Sequence, residues 1–150
     1  MPSARVVKNI QAPPARVFAT AMDLRNCAGF IRGIDNVEVL TEGPIGVGTR
    51  WRETRTFGGR QATEEMWITR FDAPKHVVVE AESHGTRYRS EFRFEPEGTG
   101  TRLSLTFTGT PKSGLARIFG FLGRMMTASV TRALERDLDD IQRACESANA

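Results

Sequence analysis

From Tyr88 to Phe107 the chain reads YRSEFRFEPEGTGTRLSLTF, and every second position is apolar or small: Tyr88, Ser90, Phe92, Phe94, then Leu103, Leu105 and Phe107. Between them lie Arg89, Glu91, Arg93, Glu95, then Arg102, Ser104 and Thr106. A period of two predicts a pair of strands with one dry face and one wet face. The intervening EGTG predicts a two-residue turn at Gly98-Thr99, glycine first, as a type II′ hairpin prefers. That turn sets Glu95 opposite Arg102, Phe94 opposite Leu103, Phe92 opposite Leu105 and Ser90 opposite Phe107. Unlike charges then meet on one face and apolar groups on the other.

The same reasoning extends along the chain. With Gly85-Thr86 as a turn, Glu82 faces Arg89, Val79 faces Phe92 and Val77 faces Phe94. With Gly58-Gly59 as a turn, Arg52 faces Glu65, Trp51 faces Met66 and Thr49 faces Ile68. Arg50 then lands beside Trp67 on the outer face, within reach of a cation–π stack. The predicted strands are Arg5–Gln11, Asn36–Thr41, Thr49–Phe57, Arg60–Phe71, His76–Ser83, Arg87–Glu95 and Thr101–Thr108. The prolines of APPA end the first strand and can open a helix. Val17, Phe18 and Ala21, then Leu24, Cys27, Ala28 and Phe30, predict two short helices. From Ser113, the expected N-cap, a helical stripe runs through Leu115, Ile118, Phe119, Leu122, Met126, Val130, Leu134, Leu138 and Ile141.

An antiparallel sheet that is dry on one face must be covered there. Only the last helix is long enough. The predicted fold class is therefore α+β of the helix-grip kind. A curved seven-stranded antiparallel sheet wraps a long C-terminal helix, with two short helices after the first strand. At 150 residues, one domain spanning 1–150 is expected.

Composition narrows this picture. The net charge of +3 is too small to argue for nucleic acid. The outer arginines Arg50, Arg52, Arg87, Arg89, Arg93 and Arg102 alternate with glutamates, so a solvated face is expected. The two cysteines, Cys27 and Cys145, have no metal or redox spacing, so reduced thiols in a cytoplasmic protein are expected. The start reads directly into a strand rather than a leader, and no apolar run reaches the ~18 residues that span a bilayer.

The order of elements carries a resemblance. IQAPPARVF (10–18), GPIGVGTRWRE (43–53), FDAPKHVVVE (71–80), FRFEPEGTGTRLSLTF (92–107) and the terminal helix resemble the START-like (SRPBCC), helix-grip superfamily. That superfamily includes polyketide cyclases and the birch-pollen-allergen type. The resemblance implies a cavity between sheet and helix for a lipid-like or aromatic small molecule. Members include ligand carriers, cyclases, hydroxylase components and chaperone-activating proteins, and the fold does not choose among them.

Candidate chemistry lies on the inner face. The Gly58-Gly59 register puts Glu53 opposite Glu64, with Arg55 two residues along. Like charges across a ladder repel. Burial with repulsion would raise one carboxyl's pKa and leave an acid–base pair. The trio could instead hold a ligand's polar head, or pair among themselves as a structural cluster. Tyr88 and Ser90 are further inward polar groups, and Tyr88 could as well reach Ser83 across the strand. Trp51 and Met66 suit an apolar pocket or plain packing. Gly114, Gly120 and Gly123 open the last helix, where each costs roughly 0.8–1 kcal/mol against alanine. They suit close packing on the sheet, a gate, or a membrane- or partner-touching patch. His76 and His84 point outward by strand parity, so no metal site is expected. GVG at 46–48 opens a strand and is no dinucleotide loop, and no cofactor is expected.

Three functional readings result. The first is a binding protein that encloses a hydrophobic small molecule: lipid-, quinone- or polyketide-like. Its ligand-binding residues would be Trp51, Arg55, Met66, Tyr88, Ser90, Phe92, Phe94, Leu105, Phe107, Phe119, Leu122 and Met126. The second is an aromatase/cyclase-like enzyme with Glu53 and Glu64 as catalytic acid and base. The third is a protein-interaction module built on Phe121 and Met125. Expected partners are the small molecule alone, with no nucleic acid and no stable membrane insertion, in a monomer or weak homodimer.

Overall fold

Alternation builds the sheet as expected. The computed structural model describes residues 3–57, 59–83, 85–111 and 120–147, with the backbone alone at 57 and 120–127. Strands β1 (Ser3–Ile10), β2 (Ile34–Val39), β3 (Arg50–Phe57), β4 (Arg60–Asp72), β5 (His76–Ser83), β6 (Thr86–Glu97) and β7 (Gly100–Pro111) form one antiparallel sheet in the order β1-β7-β6-β5-β4-β3-β2. Helix α1 (Pro14–Ala21) and a 3-10 turn (Cys27–Gly29) follow β1, and helix α2 (Gly120–Ser147) closes the fold. The N-cap at Ser113 and the glycine at 114 lie outside the described residues.

The β6–β7 and β3–β4 registers match the turn chemistry. Phe94 pairs with Leu103, Phe92 with Leu105, and Ser90 with Phe107. Trp51 pairs with Met66, Arg52 with Glu65, and Glu53 with Glu64. Gly98 supplies a φ of 59° at the first turn position, which a side-chain-bearing residue resists. On the outer face the Arg50 guanidinium lies 4.8 Å from the Trp67 ring centroid, and that of Arg87 lies 5.7 Å from it.

The β5–β6 hairpin is a correction. Val77 pairs with Phe92, Val79 with Ser90, Glu82 with Arg87, and Ser83 with Thr86. The expected pairing is therefore displaced by two residues. Gly85, at φ 77°, sits second in the two-residue turn and Thr86 begins the next strand. A slip of one would exchange the faces, but a slip of two preserves them, so alternation is blind to it. β2 also begins earlier than expected, at Ile34, with a bulge between Ile34 and Asn36. A second bulge between Ile68 and Arg70 returns Phe71 to the inner side opposite Val77.

The long helix joins both flanks of the sheet. On β1, Lys8 pairs with Asp139, and the Gln142 amide donates to the Asn9 carbonyl at 3.2 Å. On β3, Arg55 pairs with Asp137. A flat sheet could not touch one helix from two such distant strands, so these contacts record its curvature. Between them Leu138, Ile141 and Cys145 enter the core at helical spacing. At the same end α1 acts as a plug. Phe18 meets Phe71 at 5.1 Å and Phe94 at 5.0 Å between ring centroids. Gly100 is required nearby, because a Cβ there would come within 2.5 Å of the Ile10 carbonyl oxygen.

Candidate functional site

Strand β3 places Trp51, Glu53 and Arg55 on the inner face at successive inward positions. Glu53 is buried, and its Oε2 accepts from Arg55 Nε at 2.7 Å. The Arg55 fork then reaches α2, with Nη1 to Asp137 Oδ1 at 3.1 Å and Nη2 to Oδ2 at 2.7 Å. A two-pronged bond of this kind fixes the guanidinium plane as well as its charge. Gly33 lies against the pair, and a Cβ there would meet Arg55 Nη1 at 3.1 Å.

One guanidinium thus serves two carboxylates, largely shielded from water. Burial works against the Arg55 charge, but the bonds from Asp137 and the charge of Glu53 outweigh it and raise the group above its ordinary range. Burial pushes the Asp137 carboxyl above the ordinary carboxylate range, with Glu53 and Asp140 adding to the push and Arg55 opposing it. Burial, then the Glu53 charge, push the neighbouring Cys27 thiol up to about 11, which suits a packed residue rather than a nucleophile. One turn along α2, the buried Asp140 accepts from the Arg32 backbone N–H at 2.9 Å and from Arg32 Nε at 3.1 Å.

Sequence reasoning missed Asp137 and Asp140. The available signal was ERDLDD (135–140), in which acids flank Leu138 inside the apolar stripe of a helix. Glu64, expected to confront Glu53, stands opposite it in the ladder but accepts from Ser83 Oγ at 3.1 Å.

The other candidate residues divide between two ends of the inner face. Phe94 and Leu105 are sealed, at 1% and 3% exposure, and Trp51 is at 2%. Met66, Tyr88, Ser90, Phe92 and Phe107 also face inward but stay half-buried. The Tyr88 and Phe107 rings stack at 5.5 Å between centroids and 15° between planes. Gly109 gives the tyrosine ring room, since a Cβ there would meet it at 3.4 Å. The side chains of Phe119, Phe121, Leu122, Met125 and Met126 lie outside the described residues, as does much of the glycine-rich start of the helix.

His76 is a partial correction. It lies on the outer face as parity requires, yet it is only 5% exposed, with Nε2 2.7 Å from Glu91 Oε2. Burial works against the Glu91 charge, but the bond from His76 and the charges of Arg93 and Arg89 hold its carboxyl below the ordinary range. A cleft of about 630 Å³ opens near it, between Pro13, Pro74 and Arg93. Its walls mix acids and bases, and of the inner-face candidates only Phe94 borders it.

Comparison with known proteins agrees with this architecture. A family model described as polyketide cyclase / dehydrase and lipid transport matches residues 1–146. TTHA0849 from Thermus thermophilus has 26% identity and a TM-score of 0.82, with 99% of this chain and 100% of that one covered. The Zhui aromatase/cyclase from Streptomyces sp. R1128 has 17% identity and a TM-score of 0.83, over 99% and 96% of the two chains. Ara h 8.0201 has 16% identity and a TM-score of 0.67, over 97% and 98%. No curated protein sequence matches the chain. Among the described residues no helix is long and apolar enough to cross a membrane.

Proposed function

We propose that this chain, which belongs to the polyketide cyclase / dehydrase and lipid transport family, holds a hydrophobic small molecule against the inner face of its sheet. The apolar body lies on Met66, Tyr88, Phe92 and Phe107. The polar end lies toward Glu53, Arg55 and Asp137, with Tyr88 and Ser90 as further hydrogen-bonding groups. One observation carries the reading. These aromatic and thioether side chains face inward beneath a helix-covered sheet, yet remain half-buried where Phe94 on the same face is sealed. Enclosing a molecule there removes both partners' apolar surface from water, worth about 25 cal/mol per Å². Polyketide-like aromatics, quinones and fatty acyl chains all suit such a surface.

The test is native mass spectrometry of protein purified from its own host, beside a Ser90→Leu variant that crowds the half-buried end. A co-purifying apolar compound, lost in the variant, is expected. A wild-type protein that carries nothing and fails to retain added aromatic or acyl compounds would sink the reading.

A second reading, cyclase-like catalysis, is favoured by the carboxylates around Arg55. Glu53 and Glu64 are the expected acid and base, and Asp137 joins them as a carboxyl that burial holds above the ordinary carboxylate range. Turnover of a linear polyketone that survives unchanged in Glu53→Gln, Glu64→Gln and Asp137→Asn alike would remove all three from that role.

A further inference from the structure

Trp51 Nε1 is a buried donor with no acceptor among the described residues. Buried N–H groups are nearly always paired, so an orphan requires a reason. Packing alone is not one, since phenylalanine or leucine would fill an apolar site without bringing an N–H group. Polar side chains along the same stretch of chain already have other partners. The Thr49 hydroxyl accepts from the Gly46 N–H at 2.9 Å. Glu53 Oε2 is held by Arg55, and across the ladder Glu64 takes the Ser83 hydroxyl. The residue directly opposite Trp51 is Met66, half-buried and the most flexible neighbour a core can offer. The next inward positions on β3 are Glu53 and Arg55, the proposed polar end of the site.

We propose that Trp51 is a specificity-determining hydrogen-bond donor, and that its acceptor is a carbonyl or phenolic oxygen on the bound molecule. The inference rests on the ligand-binding reading above and names the ligand class: oxygenated ring systems, preferred over hydrocarbons and plain acyl chains of similar size. The physical reason is an asymmetry. An ordinary protein donor gives up water when it bonds a ligand, so the net gain is small. The Trp51 N–H has already lost its water and has nothing to give up. An incoming oxygen therefore keeps most of the bond, and a ligand without one leaves the N–H as it was.

The chain has two tryptophans, so a Trp67→Phe variant leaves one indole signal to follow. That variant, labelled with ¹⁵N, is titrated with 1-tetralone and with tetralin, which share a ring skeleton and differ in the carbonyl. We expect both to bind and only tetralone to move the Trp51 indole proton downfield. In the wild-type chain tetralone should be favoured over tetralin by about tenfold more than in Trp51→Phe. Equal indole shifts with both probes, or a preference unchanged in Trp51→Phe, would overturn the inference and leave the cavity reading standing. An indole proton already downfield without ligand, and unmoved by tetralone, would overturn it too, because a water or protein group then fills the place. Failure of both probes to bind would take the cavity reading and the inference together. Should Trp51→Phe not fold, the indole titration decides alone.

Discussion

The two ends of the inner face are built from one alternating pattern and end in different states. At the α1 end, Ile10, Val17, Val77, Phe94 and Leu103 are fully occluded, and Phe18 closes over Phe71 and Phe94. At the other end, Met66, Tyr88 and Phe107 point the same way and are half-buried, and half-buried Phe92, opposite Val77, marks the border between the two. The strands are continuous through both. Among the described residues, α1 closes over one end through Phe18, and the C-terminal half of α2 adds Leu138, Ile141 and Cys145 to the core. The charged group formed by Glu53, Arg55 and Asp137 ties that half of α2 to the sheet. The lesson is that burial on a sheet face is decided by what lies across from it, not by the strand's own residues.

The largest effect should come from the sealed end. Phe18→Ala empties the plug and should cost about 3–5 kcal/mol in urea unfolding, as large-to-small core changes do. Next comes Arg55→Met, which leaves Glu53 and Asp137 without their shared cation and largely shielded from water. Breaking a buried pair costs about 3–5 kcal/mol, and about 2–4 is expected here because the group keeps some contact with solvent.

That second loss should depend on pH, with a definite sign. Asp137 has its folded pKa raised, so its proton favours the folded state. Its contribution is complete below the unfolded value of about 3.9 and declines as pH rises through the folded pKa. Arg55 opposes that rise, so without it the folded pKa climbs further, and the penalty of Arg55→Met should shrink as pH falls toward the unfolded value, while Arg55→Met with Asp137→Asn should lack that recovery. A penalty that grows toward acid would show the sign to be wrong.

Phe107→Ala, at the half-buried end, should cost only about 1–2 kcal/mol, roughly half the value of closing such a ring from water and without a sealed cavity. A loss equal to that of Phe18→Ala would erase the distinction between the ends. The smallest effect is Ser90→Ala, expected within about 0.5 kcal/mol of the natural chain. A change in retained ligand without a change in stability there would sharpen the comparison most.

Much of the fold was readable from local pattern. Period two marked the strands, glycine turns set two registers, and a long apolar stripe named the covering helix. The candidate site was readable in part. Trp51, Glu53 and Arg55 fall on one strand face by simple parity. Asp137 is 82 residues from Arg55, and no periodicity links them. His76 was placed on the correct face but its burial beside Glu91 was not visible, because strand parity reports direction and not the reach of neighbouring arginines.

By itself, then, the order of residues determined which side chains share a face, where the chain turns, and that the sheet needs a helix. These follow from steric periods acting over a few neighbours. Three matters were left to the tertiary structure: the two-residue displacement of the β5–β6 ladder, the union of Asp137 with Glu53 and Arg55, and the division of one dry face into a sealed end and a half-buried one. Each depends on distances between segments far apart in the chain, and these are set only when the sheet curves around its helix.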